Sequence, residues 1–228
     1  DSISYRFSRW DPSNKDKYIG TAEDWNETES AMNDILDELG IEYTEAWGEA
    51  AFYGPKLDVQ SKNVHGKEDT LFTVQIDFAL AKRFDMVYVD ESGEKVNPII
   101  IHRSSIGCYE RTLAMLIEKY AGAFPLWLSP IQVRVLSLTD RTADKVKEVA
   151  AILRRKGIRC DIDTRSEKIG KKIREAQLEK LPYMLIIGDR EAEQDVVAVR
   201  HRSEGDLGQM TLEDFLARAS EEIETKKL

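Results

Sequence analysis

Apolar residues recur at helical spacing in one long segment near the start of the chain. Thr21 precedes and Gly40 follows a set of apolar residues at helical spacing: Trp25, Met32, Ile35, Leu36 and Leu39. Threonine is favoured immediately before a helix and glycine immediately after one. The pattern therefore predicts a helix between Thr21 and Gly40.

Strand-like runs follow this helix, and a second helix closes the first half of the chain. The runs cover residues 57–60, 71–78, 86–89 and 98–101, and the second helix is predicted at 109–120. The turn-rich stretch 90–94 separates the last two runs, which predicts an antiparallel hairpin between them. Antiparallel strands combined with helices indicate an α+β fold for this half.

The second half of the chain alternates strands with helices. Strands are predicted at 133–138, 158–162, 183–187 and 196–202, and helices at 143–155, 168–179 and 212–223. This order predicts an α/β domain with a mixed, mostly parallel sheet covered by helices. Between the halves, residues 121–130 contain a glycine and two prolines, so we expect two domains, at residues 1–126 and 127–228.

Length and composition restrict the class of protein. A chain of 228 residues is long enough for two domains that each bury a core. The chain contains no run of 18 apolar residues and no basic, apolar signal at its start, which gives membrane and secreted classes no support. Cys108 and Cys160 do not form a closely spaced pair, so we expect a reduced, cytoplasmic protein. Because the initiator Met is missing, we also expect a fragment.

The net charge of −9 is distributed unevenly along the chain. Residues 1–130 carry 13 Lys and Arg against 23 Asp and Glu, whereas residues 131–228 carry 20 against 19. The second half contains two groups of basic residues, the first being Arg165, Lys168, Lys171, Lys172 and Arg174, and the second Arg200 and Arg202. These groups can contact nucleic-acid phosphates or can be solvated faces of a helix and a strand. Charge alone favours the second interpretation.

Three short motifs resemble one known family. They are Tyr53-Gly54-Pro55-Lys56, Thr73-Val74-Gln75-Ile76-Asp77-Phe78 and Ile101-His102-Arg103-Ser104-Ser105-Ile106-Gly107-Cys108-Tyr109-Glu110-Arg111. With the run 121–130 and the separate α/β half, they resemble the threonyl-tRNA synthetases, which are class II aminoacyl-tRNA synthetases. The resemblance implies the part of the catalytic domain that holds motif 3, followed by an anticodon-binding domain.

The resemblance implies roles for five residues in binding ATP and the aminoacyl-adenylate. Arg111 and Gln75 are the expected catalytic residues. A planar, permanently charged guanidinium suits adenine and triphosphate, and an amide can bind both the hydroxyl and the ammonium of threonine. Thr73 shares one strand face with Gln75, and Tyr53 and Lys56 resemble a loop that closes over the adenylate. We expect Arg111 and Gln75 to converge on one pocket above antiparallel strands.

His102 matches a zinc-binding histidine of this family, in which Zn²⁺ recognises the amino and hydroxyl groups of threonine. A zinc site that handles substrate needs about three protein ligands. Four other residues have no spacing that would complete the set: Cys108, Cys160, His65 and His201. The resemblance therefore implies ATP, Mg²⁺ and Zn²⁺ for a full-length enzyme, and we expect this chain not to retain the zinc.

The sequence departs from the family just before Gln75. Many threonyl enzymes have a glutamine and a small residue beside the nucleotide, and Thr70 and Phe72 occupy those two positions here. Either this branch makes altered nucleotide contacts or its ATP site is weakened. One sequence does not decide between these alternatives.

The last 98 residues resemble the anticodon-binding domain shared by threonyl, prolyl, histidyl and glycyl enzymes. The resemblance implies that Ser166, Glu191 and Arg200 contact anticodon bases, because polar side chains recognise RNA through the edges of unstacked bases. Ser166 stands where the family often has asparagine, and its side chain is shorter.

The expected function is ligation of threonine to its tRNA by a homodimeric full-length enzyme that uses ATP. We expect this chain alone to be inactive, because it lacks motifs 1 and 2 of the class II enzymes. Two alternatives remain open. One is a non-catalytic tRNA-binding protein with synthetase architecture, and the other is an accessory subunit that uses its α/β domain for protein contacts.

Overall fold

A computed structural model describes residues 3–228. The chain divides by its contacts into two units, Asp1–Glu118 and Lys119–Leu228. The strands of the first unit are β1 (Ile3–Arg9), β2 (Thr44–Trp47), β3 (Lys56–Lys62), β4 (Glu68–Asp77), β5 (Tyr88–Val89), β6 (Lys95–Val96) and β7 (Ile100–Arg103). Its helices are α1 (Ala22–Glu38), α2 (Leu80–Arg83) and α3 (Tyr109–Tyr120), the last of which ends just past the division.

Helix α1 confirms the first predicted helix. Thr21 and Asp24 form a reciprocal cap: the Asp24 N–H donates to Thr21 Oγ1 at 3.2 Å, and the Thr21 N–H donates to Asp24 Oδ2 at 2.8 Å. Such a capping box satisfies N–H groups that have no partner within the helix. The buried side of α1 includes Met32 and Leu36, which pack against the sheet.

The main sheet of the first unit has the strand order β2-β1-β3-β4-β7. All pairs are antiparallel except β1 with β2. Helix α1 covers one face of this sheet through contacts with Phe7, Leu57 and Ile76. Because side chains alternate along a strand, Thr73 and Gln75 lie on the opposite face.

The predicted hairpin between residues 86–89 and 98–101 is wrong in its second strand. Tyr88–Val89 pairs with Lys95–Val96, and Ile100–Arg103 pairs with β4 instead. Asp90 closes the short turn, because its Oδ1 accepts from the N–H groups of Ser92 and Glu94, each at 2.9 Å. The chain is then free to return to the main sheet as an outer strand.

The second unit contains five strands and four helices. The strands are β8 (Val133–Ser137), β9 (Cys160–Asp163), β10 (Tyr183–Ile187), β11 (Val196–His201) and β12 (Gly205–Thr211). The helices are α4 (Ala143–Arg155), α5 (Ile169–Leu178), α6 (Asp189–Gln194) and α7 (Leu212–Glu224). Their sheet has the order β12-β11-β10-β8-β9, with β9, β8 and β10 parallel and the other two strands antiparallel. The α+β and α/β expectations are confirmed.

Helices cover both faces of this second sheet. On one face, α4 and α7 pack on a large apolar core that includes Val135, Leu185 and Phe215. On the other face, α5 packs on Leu136 and Met184. Of the helices in residues 3–228, none has the length and apolar content required to cross a membrane.

Cationic side chains hold residues 121–129 to the rest of the second unit. Arg202 and Arg159 donate to four backbone carbonyls of this segment, at 2.9–3.1 Å: those of Ala123, Phe124, Trp127 and Ser129. Leu126 also belongs to the core of that unit. The expected boundary at residues 126 and 127 stays a prediction, and the contacts associate the preceding residues with the second unit.

Candidate functional site

A polar group lies near the end of β4, on the sheet face that α1 leaves open. The Tyr53 hydroxyl donates to Gln75 Oε1, and Gln75 Nε2 donates to Thr73 Oγ1 at 3.3 Å. The Tyr53 ring lies 5.4 Å from the ring of His102, which is paired with Gln75 across the sheet. The structure therefore brings together four of the predicted residues, namely Tyr53, Thr73, Gln75 and His102.

Gly54 allows the loop that carries Tyr53 to approach β4 closely. A Cβ atom on Gly54 would lie 1.7 Å from the backbone oxygen of Ile76, which no side chain can tolerate. Partial burial, followed by the charge of Asp77, raises the pKa of Tyr53 above its ordinary value. The hydroxyl therefore stays protonated at neutral pH and can act as a donor.

Lys56 lies beside this group, opposite Gln75 on the neighbouring strand. Its ammonium contacts the buried Asp58, with Nζ and Oδ2 2.5 Å apart. The Ser8 hydroxyl donates to the same Asp58 oxygen at 3.2 Å. Asp58 thus limits the freedom of Lys56 and keeps its charge close to the polar group.

His102 is anchored by Asp77, which is fully buried. His102 Nε2 lies 2.7 Å from Asp77 Oδ2, while Asp77 Oδ1 accepts from the N–H groups of Ala79 and Leu80, each at 2.9 Å. The Asp77 carboxylate can only accept, so it favours the tautomer of His102 that carries the proton on Nε2. In that tautomer Nδ1 keeps its lone pair. Among residues 3–228, however, no three His, Cys, Asp or Glu side chains are close enough to hold a metal ion. The described residues alone do not fit Zn²⁺.

Arg111 belongs to α3 and contacts β4 at a different position from Gln75. Its Nη1 donates to the carbonyl of Thr70 at 2.7 Å. Gly107 lets the preceding turn approach β4, since a Cβ atom there would lie 1.9 Å from the Leu71 oxygen. Thr70 and Gln75 are five positions apart along β4, which corresponds to about 17 Å between their Cα atoms. The expectation that Arg111 and Gln75 converge on one pocket stays a prediction, and the contacts of both residues place the candidate site along β4.

Thr70 and Phe72 are the two residues at which the sequence departs from the family, and the pairing of β4 with β3 shows which sheet face Phe72 occupies. Phe72 pairs with Val59, whereas Thr73 pairs with Asp58, so Phe72 lies on the other sheet face from Gln75. The register shifts between Val59 and Gln60, and Thr70 then pairs with Gln60. Phe72 therefore does not crowd the polar face.

A second candidate surface follows the carboxyl ends of β8 and β9. Ser166 is exposed and lines an open depression of about 490 Å³ together with Leu138, Thr139, Asp140, Arg165, Glu167 and Lys168. Arg165 turns back on its own loop, because it donates to both Asp163 oxygens, at 3.0 and 2.6 Å. These bonds hold the pKa of Asp163 below its ordinary value.

Lys172 is buried beneath this loop, although the sequence analysis groups it with residues that can contact phosphates. Its side chain is 1% exposed, and Nζ donates to the carbonyls of Ser137 and Asp163 at 2.9 and 3.3 Å. Neither phosphate contact nor a solvated face holds for Lys172, because its side of α5 faces the sheet. Helical spacing indicates the error, since Lys172 lies three residues after Ile169 and four before Ala176, which both pack there.

Glu191 has both carboxylate oxygens occupied. Oε2 accepts from the Gly188 N–H at 2.9 Å, and Oε1 accepts from Gln209 Nε2 at 2.6 Å. Partial burial by itself raises the pKa of Glu191, but the hydrogen bonds from Gln209 and Gly188 outweigh it and hold the pKa below its ordinary value. Glu191 is therefore an anion at neutral pH. The sequence analysis does not identify Gln209, which lies 18 residues away from Glu191.

Arg200 lies on the same sheet face as α5. It pairs with Met184, whose side chain packs with that helix. Its Nη1 lies 3.4 Å from Asp206 Oδ2, and its buried Nε has no partner among the described residues. Arg202, which the sequence analysis groups with Arg200, is half-buried, which lowers its pKa, and its guanidinium binds backbone carbonyls.

Two families match the two parts of the chain. Residues 15–120 match the family described as tRNA synthetase class II core domain (G, H, P, S and T). Residues 132–222 match the family described as Anticodon binding domain.

Curated relatives match the whole chain and are named threonine–tRNA ligases. Those of Clostridium botulinum (strain Eklund 17B / Type B) and Clostridium perfringens (strain SM101 / Type A) are 62% and 60% identical over 227 residues. That of Geobacillus kaustophilus (strain HTA426) is 44% identical over 228 residues. In all three cases the match covers 100% of this chain and 35% of the relative, so the chain spans about a third of their length. These names do not favour the non-catalytic alternative.

Solved structures agree with this assignment. The RNA binding domain of threonyl-tRNA synthetase from Cryptosporidium parvum Iowa II is 34% identical, with a TM-score of 0.87 over 96% of this chain and 55% of that chain. A putative threonyl-tRNA synthetase, ThrRS-1, from Aeropyrum pernix is 28% identical, with a TM-score of 0.70 over 98% of this chain and 54% of that chain. The chain therefore belongs to the threonyl-tRNA synthetase family, of which it carries class II core and anticodon-binding regions.

Proposed function

We propose that this chain is part of an enzyme that activates threonine with ATP and transfers it to threonine tRNA. The observation that carries the proposal is the pair of hydrogen bonds that link Tyr53 to Gln75 and Gln75 to Thr73, beside the ring of His102. The names of the relatives support it, since each is a threonine–tRNA ligase.

In this proposal, the polar group near the end of β4 binds the amino acid. The Gln75 amide can donate to the threonine hydroxyl and accept from its ammonium once the substrate replaces its present partners. Tyr53 orients Gln75, and Lys56 supplies positive charge for the carboxylate and the α-phosphate. Arg111 then binds the adenine and phosphates from its position beside the Thr70 carbonyl, farther along the strand. Catalysis in such a site is mainly positioning and stabilisation of charge.

The proposal includes ATP with Mg²⁺, a homodimeric full-length protein and a cytoplasmic location. It also assigns His102 as one zinc ligand through Nδ1, with Asp77 fixing its tautomer. Zinc, when bound, would act as a Lewis acid that recognises the amino and hydroxyl groups of threonine. The further ligands would have to come from outside the described residues. We therefore also propose that this chain alone does not catalyse the reaction.

Ser166, Glu191 and Arg200 are proposed to read the anticodon. They combine a hydroxyl, an anion and a guanidinium, which together can recognise both donors and acceptors on base edges. Lys172 and Asp163 hold the loop that presents Ser166.

Binding of threonine tRNA to the 228-residue chain tests the anticodon proposal. We expect wild-type protein to prefer the threonine anticodon over a shuffled one, and Glu191→Ala or Arg200→Ala to reduce that preference about 10-fold each. The exposed Gln177→Ala on α5 is the control. Equal binding of both anticodons by the wild-type chain would contradict the proposal and favour the accessory-subunit alternative.

Threonine-dependent pyrophosphate exchange tests the catalytic proposal. A protein extended to the full length of the relatives should be active, and the 228-residue chain should not. In the extended protein, Gln75→Ala should lower kcat/KM for threonine about 100-fold, because a buried substrate loses hydrogen bonds to the enzyme. Gln177→Ala should leave the exchange unchanged. Unimpaired exchange in the Gln75 variant would remove Gln75 from the site.

A further inference from the structure

We propose that Asp58 and Arg6 are positioning residues for the proposed reaction, and that together they control the movement of Lys56 towards the substrate. The inference rests on the proposed function, in which Lys56 supplies positive charge for the threonine carboxylate and the α-phosphate. Asp58 holds Lys56 while the site is empty. Arg6 neutralises Asp58 when Lys56 turns to the substrate.

Strand pairing places Asp58 beside two cations on one face of the sheet. Lys56 and Asp58 lie two positions apart on β3, so their side chains point to the same face. Arg6 on β1 is paired with Asp58, and Gln75 on β4 is paired with Lys56. Directly paired residues are neighbours on one face. Lys56 is therefore a neighbour of both Asp58 and Gln75, and Arg6 approaches Asp58 from the opposite strand.

Asp58 is a buried carboxylate of which only one oxygen is in use. The residue is 1% exposed. Oδ2 lies 2.5 Å from Lys56 Nζ and accepts from the Ser8 hydroxyl, whereas the buried Oδ1 has no hydrogen-bond partner among residues 3–228. Removing the partner of a buried charge is strongly destabilising, because the charge is left uncompensated. Lys56 can therefore leave Asp58 for the substrate only if another cation takes its place.

Arg6 is the cation in position to do so. Its Nε lies 3.8 Å from Asp58 Oδ2, which is too long for a hydrogen bond. With the Gln60 amide oxygen turned towards it, Arg6 donates instead to this neutral group from Nε and Nη2, at 2.9 and 2.5 Å. Its contact with the exposed Glu49 is 3.7 Å and contributes little. A small movement brings the guanidinium onto Asp58, where its planar fork can bind both oxygens.

This exchange keeps Asp58 paired at each stage. In the empty site, Lys56 neutralises Asp58 and Arg6 is bonded to Gln60. When threonine and ATP bind, Lys56 turns to their negative charges and Arg6 replaces it on Asp58. No buried carboxylate is left without a cation, so the movement of Lys56 has little electrostatic cost.

Threonine-dependent pyrophosphate exchange by the protein extended to the full length of the relatives tests the inference. Arg6→Met should lower kcat/KM for threonine about 100-fold, because Asp58 is left unpaired whenever Lys56 moves. Asp58→Asn should lower it about 10-fold, because Lys56 loses its fixed position. Arg6→Lys keeps a cation and should recover at least about 10-fold of the loss. The matched control is the exposed Arg83→Met on α2, which should exchange as wild-type protein does.

Combined variants separate positioning from a purely structural role. In the Asp58→Asn background there is no buried charge to neutralise, so Arg6→Met should have no further effect. The double variant should then be about 10-fold more active than Arg6→Met alone. A residue that only supports the fold would instead add its own loss to that of Asp58→Asn. If Asp58→Asn does not fold, the Lys56→Met background gives the same test, because no cation then leaves Asp58 for the substrate.

Failure of the inference and failure of the proposed function give different results. If Lys56→Met impairs exchange while Arg6→Met does not, the inference is overturned and the proposed function stands. The same holds if Arg6→Met causes an equal loss with and without the second substitution. If the extended wild-type protein shows no threonine-dependent exchange, the proposed function fails, and this inference fails with it.

Discussion

The two units differ in how completely they cover their apolar side chains. Eighteen of the twenty-one large apolar side chains that are exposed in residues 3–228 lie in the first unit. Helix α3 of that unit has no buried residue, although it contains Leu113, Leu116 and Ile117. In the second unit, α7 buries Phe215 and Ala219 completely. The second unit therefore buries its apolar surface by itself, whereas the first does not.

This difference agrees with the share of the relatives that the chain spans. The anticodon-binding region matches one family over residues 132–222, within a unit that has its own core. The chain covers 35% of the curated relatives, and the open apolar face of the first unit is of the kind that further protein covers in a larger domain.

The largest expected effect of this difference is on local stability. Because its core is closed, we expect the second unit to remain folded under conditions in which the first opens. Amide hydrogens in β8 and β10 should exchange at least about 100-fold more slowly than those in β3 and β4. Hydrogen exchange measured by mass spectrometry checks this. Equal protection throughout would mean that the two units unfold as one.

A matched pair of leucines tests the same difference at single positions. Leu185→Ala, at a site with 0% exposure in the second unit, should lower the free energy of unfolding by about 2–5 kcal/mol. Leu113→Ala, at a site with 54% exposure in the first, should change it by less than about 0.5 kcal/mol. Urea unfolding followed by circular dichroism measures both. Similar losses would show that Leu113 is covered in solution.

Neighbouring lysines on α5 provide a smaller test. Lys172→Met leaves the carbonyls of Ser137 and Asp163 without a buried donor, so we expect a loss of about 1–3 kcal/mol. Lys171→Met removes only an exposed ion pair with Glu167 and should cost less than about 0.5 kcal/mol. The difference in urea midpoints at constant m-value is the measurement. If the two variants lose equal stability, the bonds of Lys172 contribute nothing.

The smallest expected effect is on pH dependence, where Asp163 and Glu29 act in opposite directions. Arg165 lowers the pKa of Asp163 from its ordinary 3.8, so its stabilising contribution is complete above that value and is lost as pH falls through the lowered pKa. Burial raises the pKa of Glu29 above its ordinary 4.5, so its contribution decreases as pH rises through the raised pKa.

Two substitutions isolate these contributions. Asp163→Asn should flatten the loss of stability of the second unit on acidification, and Glu29→Gln should flatten the opposite slope in the first unit. Free energies of unfolding measured at several pH values between 2.5 and 7 check both signs. A Glu29 variant that steepens the rise of stability on acidification would contradict the assigned direction.

Much of the fold could be predicted from local patterns. The cap at Thr21 and the alternation of strands with helices after residue 130 are local signals, and the structure confirms the elements that they predict. Strand β1 was not predicted, although Ile3, Tyr5 and Phe7 alternate with polar residues in the way typical of a strand. In that case the signal was present in the sequence.

The sequence by itself determined which short motifs the chain carries, and its glycines at 54 and 107 fit the close approaches that those motifs make to β4. Only the tertiary structure decided where Lys172 points, which strand Ile100–Arg103 joins, and that Gln209 meets Glu191. The physical reason is the range of the interactions. Caps and turns depend on residues a few positions apart, whereas burial and strand pairing depend on elements that meet only after the whole unit has folded.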